Sequence, residues 1–143
     1  VSEAITIKVR GYHIDLFGHV NNARYLEFLE EARWSFFEEN GGAIAFARLN
    51  LNFVVVNINI SYRNPAVMGD VLRIESAMQS IGRSSAVMKQ TVKLAQNGSM
   101  VADAQVTFVF LDPASGRVRP IAGEARALLQ RLPGGSTAHK ANG

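Results

Sequence analysis

Two consecutive asparagines, Asn21 and Asn22, separate a polar, glycine-containing loop from a stretch of helical periodicity; residues 12–33 read YHIDLFGHVNNARYLEFLEEAR. An asparagine side chain accepts an N–H that a first helical turn cannot satisfy within itself, so the pair marks a helix start. Beyond it Tyr25, Leu29, Ala32 and Phe36 recur at three- and four-residue intervals with Phe28 beside them. That spacing predicts a helix over about residues 23–39 with one buried stripe. Trp34 projects nearly opposite the stripe and is expected to be exposed, or covered by something outside this simple packing. Gly41 and Gly42 stop the helix, and residues 43–50 add a short helical turn. The unpaired N–H groups and positive dipole end of the long helix point back at the loop that carries Asp15. A carboxylate facing such an end is equipped for attack on a carbonyl.

The flanks of this segment read as sheet. Residues 4–10 alternate Ile5, Ile7 and Val9 with Thr6, Lys8 and Arg10, the period of a half-buried strand. From residue 52 a second alternation sets Val54, Val56, Ile58, Ile60 and Tyr62 on an apolar face against Phe53, Val55, Asn57, Asn59 and Ser61 on a mixed one. Asparagine is depleted in strands, so Asn57 and Asn59 imply a face given to solvent, or to a polar-lined ligand or subunit surface. After a break at Pro65 and Gly69, strands are predicted over residues 71–80, 84–96 and 99–111. Short links at Ile81-Gly82-Arg83 and Asn97-Gly98 make them an antiparallel meander. Turn residues from Asp112 to Gly116, then Pro120, lead to a last helix with Ala125, Leu128, Leu129 and Leu132 on its apolar side. Beyond Pro133 no apolar side chain is larger than alanine, which predicts a domain over residues 1–132 and a flexible tail over 133–143. The fold class is α+β, five antiparallel strands on one long helix. One helix cannot hide both faces of such a sheet, so a two-fold dimer, or a dimer of dimers, is expected.

The 143 residues suit one domain that buries about two thirds of its chain surface. There is no cysteine and hence no disulfide. No apolar run approaches the ~18 residues that cross a bilayer, and the first residues lack a signal-peptide pattern, so a soluble, cytoplasmic protein without membrane contact is expected. The net charge is +3, but the basic residues are scattered, and nucleic acid is not an expected partner. His13, Asp15 and His19 are spaced H-x-D-x3-H within one irregular loop, not on regular elements, so neither a metal nor another cofactor is expected.

Asp15, Gly18-His19-Val20-Asn21-Asn22, Tyr25-Leu26, Glu31 and Arg33, followed by Tyr62, Pro65-Ala66 and Gly69-Asp70, resemble the hotdog-fold acyl-CoA thioesterases of the 4-hydroxybenzoyl-CoA thioesterase type. The likeness covers about residues 4–131, and VRGYHIDLFGHVNNARYLEFLEEARW with FVVVNINISYRNPAV is most similar to the bacterial long-chain acyl-CoA thioesterases. The resemblance implies a helix wrapped by a curved sheet, paired protomers, and active sites at the dimer interface. It makes Asp15 the catalytic carboxylate and assigns the polarising backbone N–H to Asn22 and Ala23. Coenzyme A would enter from the surface, with its phosphates near basic side chains.

Thioester hydrolysis needs an oxygen nucleophile, a stabilised oxyanion and a leaving thiolate. Asp15 supplies the first either by deprotonating water or by attacking the carbonyl itself. His19 either orients Asp15 or a water, or fixes the turn by bonding loop carbonyls, and Asn22 also serves as a cap. Arg63, Arg83 and Lys89 are candidates for the phosphates, and Arg24 for an anionic ligand or a cross-subunit partner. Tyr25, Asn57 and Ser84 complete the substrate-contacting set, and Phe28, Phe53, Val55 and Met78 are candidates for an acyl tunnel. The implied function is hydrolysis of medium- to long-chain fatty acyl-CoA to a free fatty acid and coenzyme A. Hydrolysis of acyl-acyl carrier protein and non-catalytic acyl-CoA binding are the alternatives. Hydratases of this fold place four residues between their Asp and His, against three between Asp15 and His19.

Overall fold

The computed structural model describes residues 3–137. Strand β1 (Glu3–Lys8) runs into a 3-10 turn at Gly11–His13, the loop, helix α1 (Asn22–Glu39) and a short helix α2 (Gly42–Arg48). Strands β2 (Asn52–Tyr62), β3 (Val71–Ile81), β4 (Ala86–Leu94) and β5 (Met100–Leu111) follow, then a two-residue strand β6 (Val118–Arg119) and helix α3 (Gly123–Arg131). The sheet is antiparallel in the order β1-β3-β4-β5-β2, with β6 paired to β5. The expected architecture is therefore present, with a sixth strand added to the expected five. Ala86 opposes Phe108, so β4 ends before Phe110 and Leu111, which Arg119 and Val118 then pair.

Helix α1 lies across one face of this sheet. It buries Tyr25, Phe28, Leu29, Ala32, Arg33, Phe36 and Phe37, the predicted stripe with Arg33 and Phe37 added to it, and leaves Trp34 58% exposed. The apolar core falls into two clusters. One gathers Tyr25, Phe28 and Leu29 with Leu72, Ile74 and Val92, the other Phe36, Phe37 and Phe46 with Met88, Phe108, Phe110 and Leu129. Each large side chain among them is worth about 1.5–3 kcal/mol when fully buried. Between the clusters runs a buried polar link: Arg33 Nη1 donates to Gln90 Oε1 at 3.1 Å, and Gln90 Nε2 donates to the Leu29 carbonyl and to Ser76 Oγ, both at 3.0 Å.

Strand β2 departs from the simple alternation. A bulge between Val55 and Asn57 resets the register against β5 and turns Val56 out, 56% exposed. Phe53 and Val55 pack inward before the bulge and Ile58 and Ile60 after it, so the expected apolar face of Val54, Val56, Ile58, Ile60 and Tyr62 is split between the two sides. The β3–β4 turn holds Ser84, because Gly82 N–H bonds the Ser85 carbonyl and β4 begins only at Ala86.

The C-terminal segment engages the sheet before it leaves the described residues. Beside a second bulge, Met78 N–H donates to the Pro133 carbonyl at 2.8 Å, and a 3-10 turn follows at Gly135–Thr137. Of the tail expected over residues 133–143, residues 138–143 lie outside the described ones. Gly134 has φ +82°, and a Cβ there would run into the Met78 carbonyl, whereas Gly98 at φ +73° faces open space. Gly98→Ala is expected to cost about 1 kcal/mol, the conformational penalty alone. Gly134→Ala should cost clearly more, about 2–4 kcal/mol, because packing strain adds to it. Urea midpoints of the two variants check the difference.

Candidate active site

The loop between β1 and α1 is a tight hairpin clamped at its base. Ile14 and Val20 form an antiparallel bridge, Asn21 N–H donates to the His13 carbonyl, and Asp15 and His19 pair through Asp15 N–H to the His19 carbonyl at 2.8 Å. The Gly69-Asp70 corner holds this hairpin from the side. Val20 N–H bonds the Ala66 carbonyl, His19 bridges Val67, and Asp70 Oδ2 accepts the Val67 N–H. Gly69 takes φ +93°, a left-handed turn that glycine adopts without cost, and its N–H returns to the Val9 carbonyl.

Asp15 is both a turn residue and an open carboxylate. Its Oδ1 accepts N–H groups from Phe17 at 2.9 Å and His19 at 3.3 Å, the hydrogen bonds of an Asx turn. Its Oδ2 has no partner among the described residues. The turn therefore fixes the direction of the carboxylate and leaves one oxygen for a ligand. His19 meets Asp15 through the main chain, and its own side chain is exposed.

Asn21, not Asn22, is the cap. At φ −61° and ψ 136° its Oδ1 accepts the Ala23 N–H at 2.8 Å, and its carbonyl takes the Arg24 N–H. Ala23 N–H is thereby occupied, and of the two expected polarising donors only that of Asn22, the first helical residue, is without a partner among the described residues. The Asn22 carbonyl accepts the Tyr62 hydroxyl at 3.1 Å, which ties the helix start to the end of β2.

Residues 9–129 match the family described as the thioesterase-like superfamily. The chain belongs to that superfamily. It is 48% identical over 126 residues to the long-chain acyl-CoA thioesterase FadM of Escherichia coli (strain K12), covering 88% of this chain and 96% of the relative. The crystal structure of the probable thioesterase YbaW from Escherichia coli matches with a TM-score of 0.86 at 46% identity, over 90% of this chain and 97% of that one. A thioesterase from Thermus thermophilus, solved with coenzyme A and zinc, matches with a TM-score of 0.75 at 29% identity, over 92% and 94% of the two chains.

The remaining expected contacts of this thioesterase-like chain are dispersed. Tyr25 is buried at the helix start, where its ring meets Phe28 and Tyr62, and burial pushes its pKa up against the opposing pull of the Ala66 backbone. Arg63 is paired with Asp103 at 2.9 Å and, with Asn59 and Lys89, borders a polar depression of about 580 Å³. Asn57 is exposed on β2 next to the bulge. Arg83 and Ser84 sit in the β3–β4 turn, whereas the Asp15 loop joins at the Val71 end of β3, about 35 Å of strand away. They therefore do not reach Asp15 within one chain. Arg24 is spent on Glu27 at 2.9 Å and lies over the Tyr12 ring. Phe28 and Met78 are core, while Phe53 and Val55 line a groove beside β2.

Sequence reasoning did not single out Tyr62 as the residue that holds Asn22, nor the Gln90–Arg33 link. The available signal for the latter was phase: Gln90 occupies an inward position of β4 between Met88 and Val92.

His13 is a structural residue. It is buried between Tyr12 and Phe28, with ring centroids at 4.2 and 4.9 Å, and its Nδ1 accepts the Arg10 N–H at 2.9 Å. Its pKa is lowered from the ordinary 6.5, first by burial and then by Arg24, with Glu27 opposing and Arg10 adding to the fall. Between its folded value and 6.5 the unfolded chain binds more protons, so stability is full above 6.5 and is lost as the pH falls below it. Urea midpoints of the native chain should decline from about pH 7 to pH 5.5. In His13→Asn, which keeps an acceptor but does not titrate, the decline should be smaller.

Proposed function

We propose that this chain hydrolyses medium- to long-chain fatty acyl-CoA, with Asp15 as the catalytic carboxylate and the Asn22 N–H as the polarising donor. One observation carries the reading: the hydrogen bonds that build the site leave over one carboxylate oxygen and one helix N–H. The thioester carbonyl oxygen takes the Asn22 N–H, and the helix dipole stabilises the charge that develops there. Such a donor is commonly worth about 3–4 kcal/mol in the transition state. Asp15 brings oxygen to the carbonyl carbon, either by taking a proton from water or by direct attack to give an anhydride that water opens. On either route the C–S bond breaks, coenzyme A leaves as a thiolate that takes up a proton, and the fatty acid leaves as a carboxylate. Thiolate is a good leaving group, so a strong general acid is less necessary.

A fatty acyl substrate is supported by the surroundings of Asp15. Leu16 is 93% and Phe17 79% exposed at the tip of the turn, and Tyr12, Val67 and Met68 are exposed around it. Coenzyme A as the carrier, and not acyl carrier protein, is supported by 48% identity to a long-chain acyl-CoA thioesterase and by the coenzyme A-bound relative.

A homodimer belongs to the same reading. Strand β2 is an eleven-residue sheet edge, and an open edge of that length is a surface that proteins cover. Two-fold antiparallel pairing along it would bring the Asn52 end of one subunit to the Tyr62 end of the other, where Asn22 is held. Arg83 and Ser84 could then approach a coenzyme A at Asp15 only from a second subunit.

Thiol release from a series of short to long acyl-CoAs tests the proposal. The native chain should favour the longer substrates, and Asp15→Asn, which keeps the shape and loses the charge, should bind them but slow at least about 10²-fold. A near-native rate in that variant removes Asp15 from the mechanism. Release from acyl-acyl carrier protein alone supports the alternative carrier.

A further inference from the structure

The Asn22 N–H belongs to the peptide that joins Asn21 to Asn22, and different parts of the chain hold the two sides of that peptide. On the Asn21 side the loop and the cap hold it: Asn21 N–H donates to the His13 carbonyl at 2.9 Å, and Asn21 Oδ1 takes the Ala23 N–H at 2.8 Å. On the Asn22 side, the one hydrogen bond to another element among the described residues is that of the carbonyl, which accepts the Tyr62 hydroxyl at 3.1 Å. Asn22 is itself exposed, and a helix frays first at its ends.

Tyr62 is a fixed point from which to hold such a residue. It ends β2 paired with Ala102 of β5, and the next two residues, Arg63 and Asn64, both give their N–H to the Val101 carbonyl, at 2.8 and 3.1 Å. Their side chains repeat the grip. Asn64 Nδ2 donates to the Met100 carbonyl at 2.7 Å, and Arg63 Nε donates to Asp103 Oδ2 at 2.9 Å. Strand β5 runs between β4 and β2, so the anchor is an interior strand. The Tyr62 ring leans on that of Tyr25, with centroids 5.5 Å apart, and Tyr25 is buried against Phe28. Backbone and ring together therefore set where the hydroxyl lies. A hydroxyl bond open to water adds little to stability, because water replaces it when it is lost. What water cannot replace is the direction it imposes on the Asn22 carbonyl.

We infer that Tyr62 is a positioning residue for the hydrolysis: its hydroxyl, through the Asn22 carbonyl, sets the direction of the Asn22 N–H. The inference rests on the proposed role of that N–H, and it gives Tyr62 no contact with the substrate. A donor to a developing oxyanion acts only when it lies within about 3 Å of where that oxygen will be. Binding of the uncharged thioester depends on it far less, so loss of the hydroxyl falls on kcat and spares KM.

The test is thiol release from a long-chain acyl-CoA by the native chain, Tyr62→Phe, Asn22→Pro and the double variant, with rates referred to folded protein. Tyr62→Phe keeps the ring on Tyr25 and removes the hydroxyl alone. Its kcat should fall roughly three- to tenfold, with KM and the urea midpoint close to native. Asn22→Pro retains the carbonyl but has no N–H to direct, so adding Tyr62→Phe to it should cost nothing further. A native kcat in Tyr62→Phe, a change confined to KM, or an equal fall in the Asn22→Pro background, as when the hydroxyl acts on substrate or water directly, would each overturn the inference. The same four rates separate it from the reading it rests on. No release by the native chain removes the hydrolysis, and a native rate in Asn22→Pro removes the donor; either takes this role of Tyr62 with it. A slowed Asn22→Pro beside a native Tyr62→Phe removes Tyr62 alone.

Discussion

The hydrogen bond from Ala23 N–H to Asn21 Oδ1, 2.8 Å long, decides which part of the helix end is free to act. A helix start leaves several N–H groups unpaired, and a cap normally serves to satisfy them. Here the cap takes the second and the Asn21 carbonyl takes the third, so the donor without a partner among the described residues is that of Asn22. The neighbouring turn acts in the same way on the carboxylate: two N–H groups occupy one oxygen of Asp15 and direct the other outward. On the proposed reading, structural hydrogen bonds and reactive groups are not rivals at this site. The first orient the second, and the conformational cost of orienting them is met during folding and not during each turnover.

Holding that helix start in place is the work of the sheet. Tyr62 closes β2 and bonds Asn22, Ala66 bonds Val20, and Asp70 fixes the corner that carries Ala66. The helix itself is seated by two apolar clusters with a polar link between them. A buried Arg33 bonded to an uncharged Gln90 contributes less to stability than an apolar pair of similar volume would.

Much of this could be read from the chain before any coordinates. The stripe Tyr25, Leu29, Ala32 and Phe36 marks the helix and its buried side, and Asp15 followed by two asparagines marks the loop that carries the proposed carboxylate and donor. What was not legible has definite physical reasons. Either asparagine could cap the helix, and the choice of Asn21 depends on a backbone conformation, φ −61° and ψ 136°, that no single residue type dictates. A bulge adds one residue without a sequence marker, so the faces of β2 were assigned with one phase where two apply. The distance of Arg83 and Ser84 from Asp15 depends on strand pairing, which lies outside local pattern. Gly134 packs on β3 because it lacks a side chain, and a missing side chain leaves no apolar signal to read.

The central claim is that the Asn22 N–H, and no other donor at this helix start, polarises the thioester. Proline is accommodated at the first helical position, and the Asn21 backbone already has the extended conformation that a following proline requires. Asn22→Pro therefore removes that N–H while keeping the cap, the helix and the carbonyl that Tyr62 bonds. The measurement is kcat/KM for a long-chain acyl-CoA in the native chain and in Asn22→Pro, with the helical circular dichroism of both. The predicted result is an unchanged spectrum and a fall of about 10²–10³. A variant that folds and keeps its rate would contradict the account.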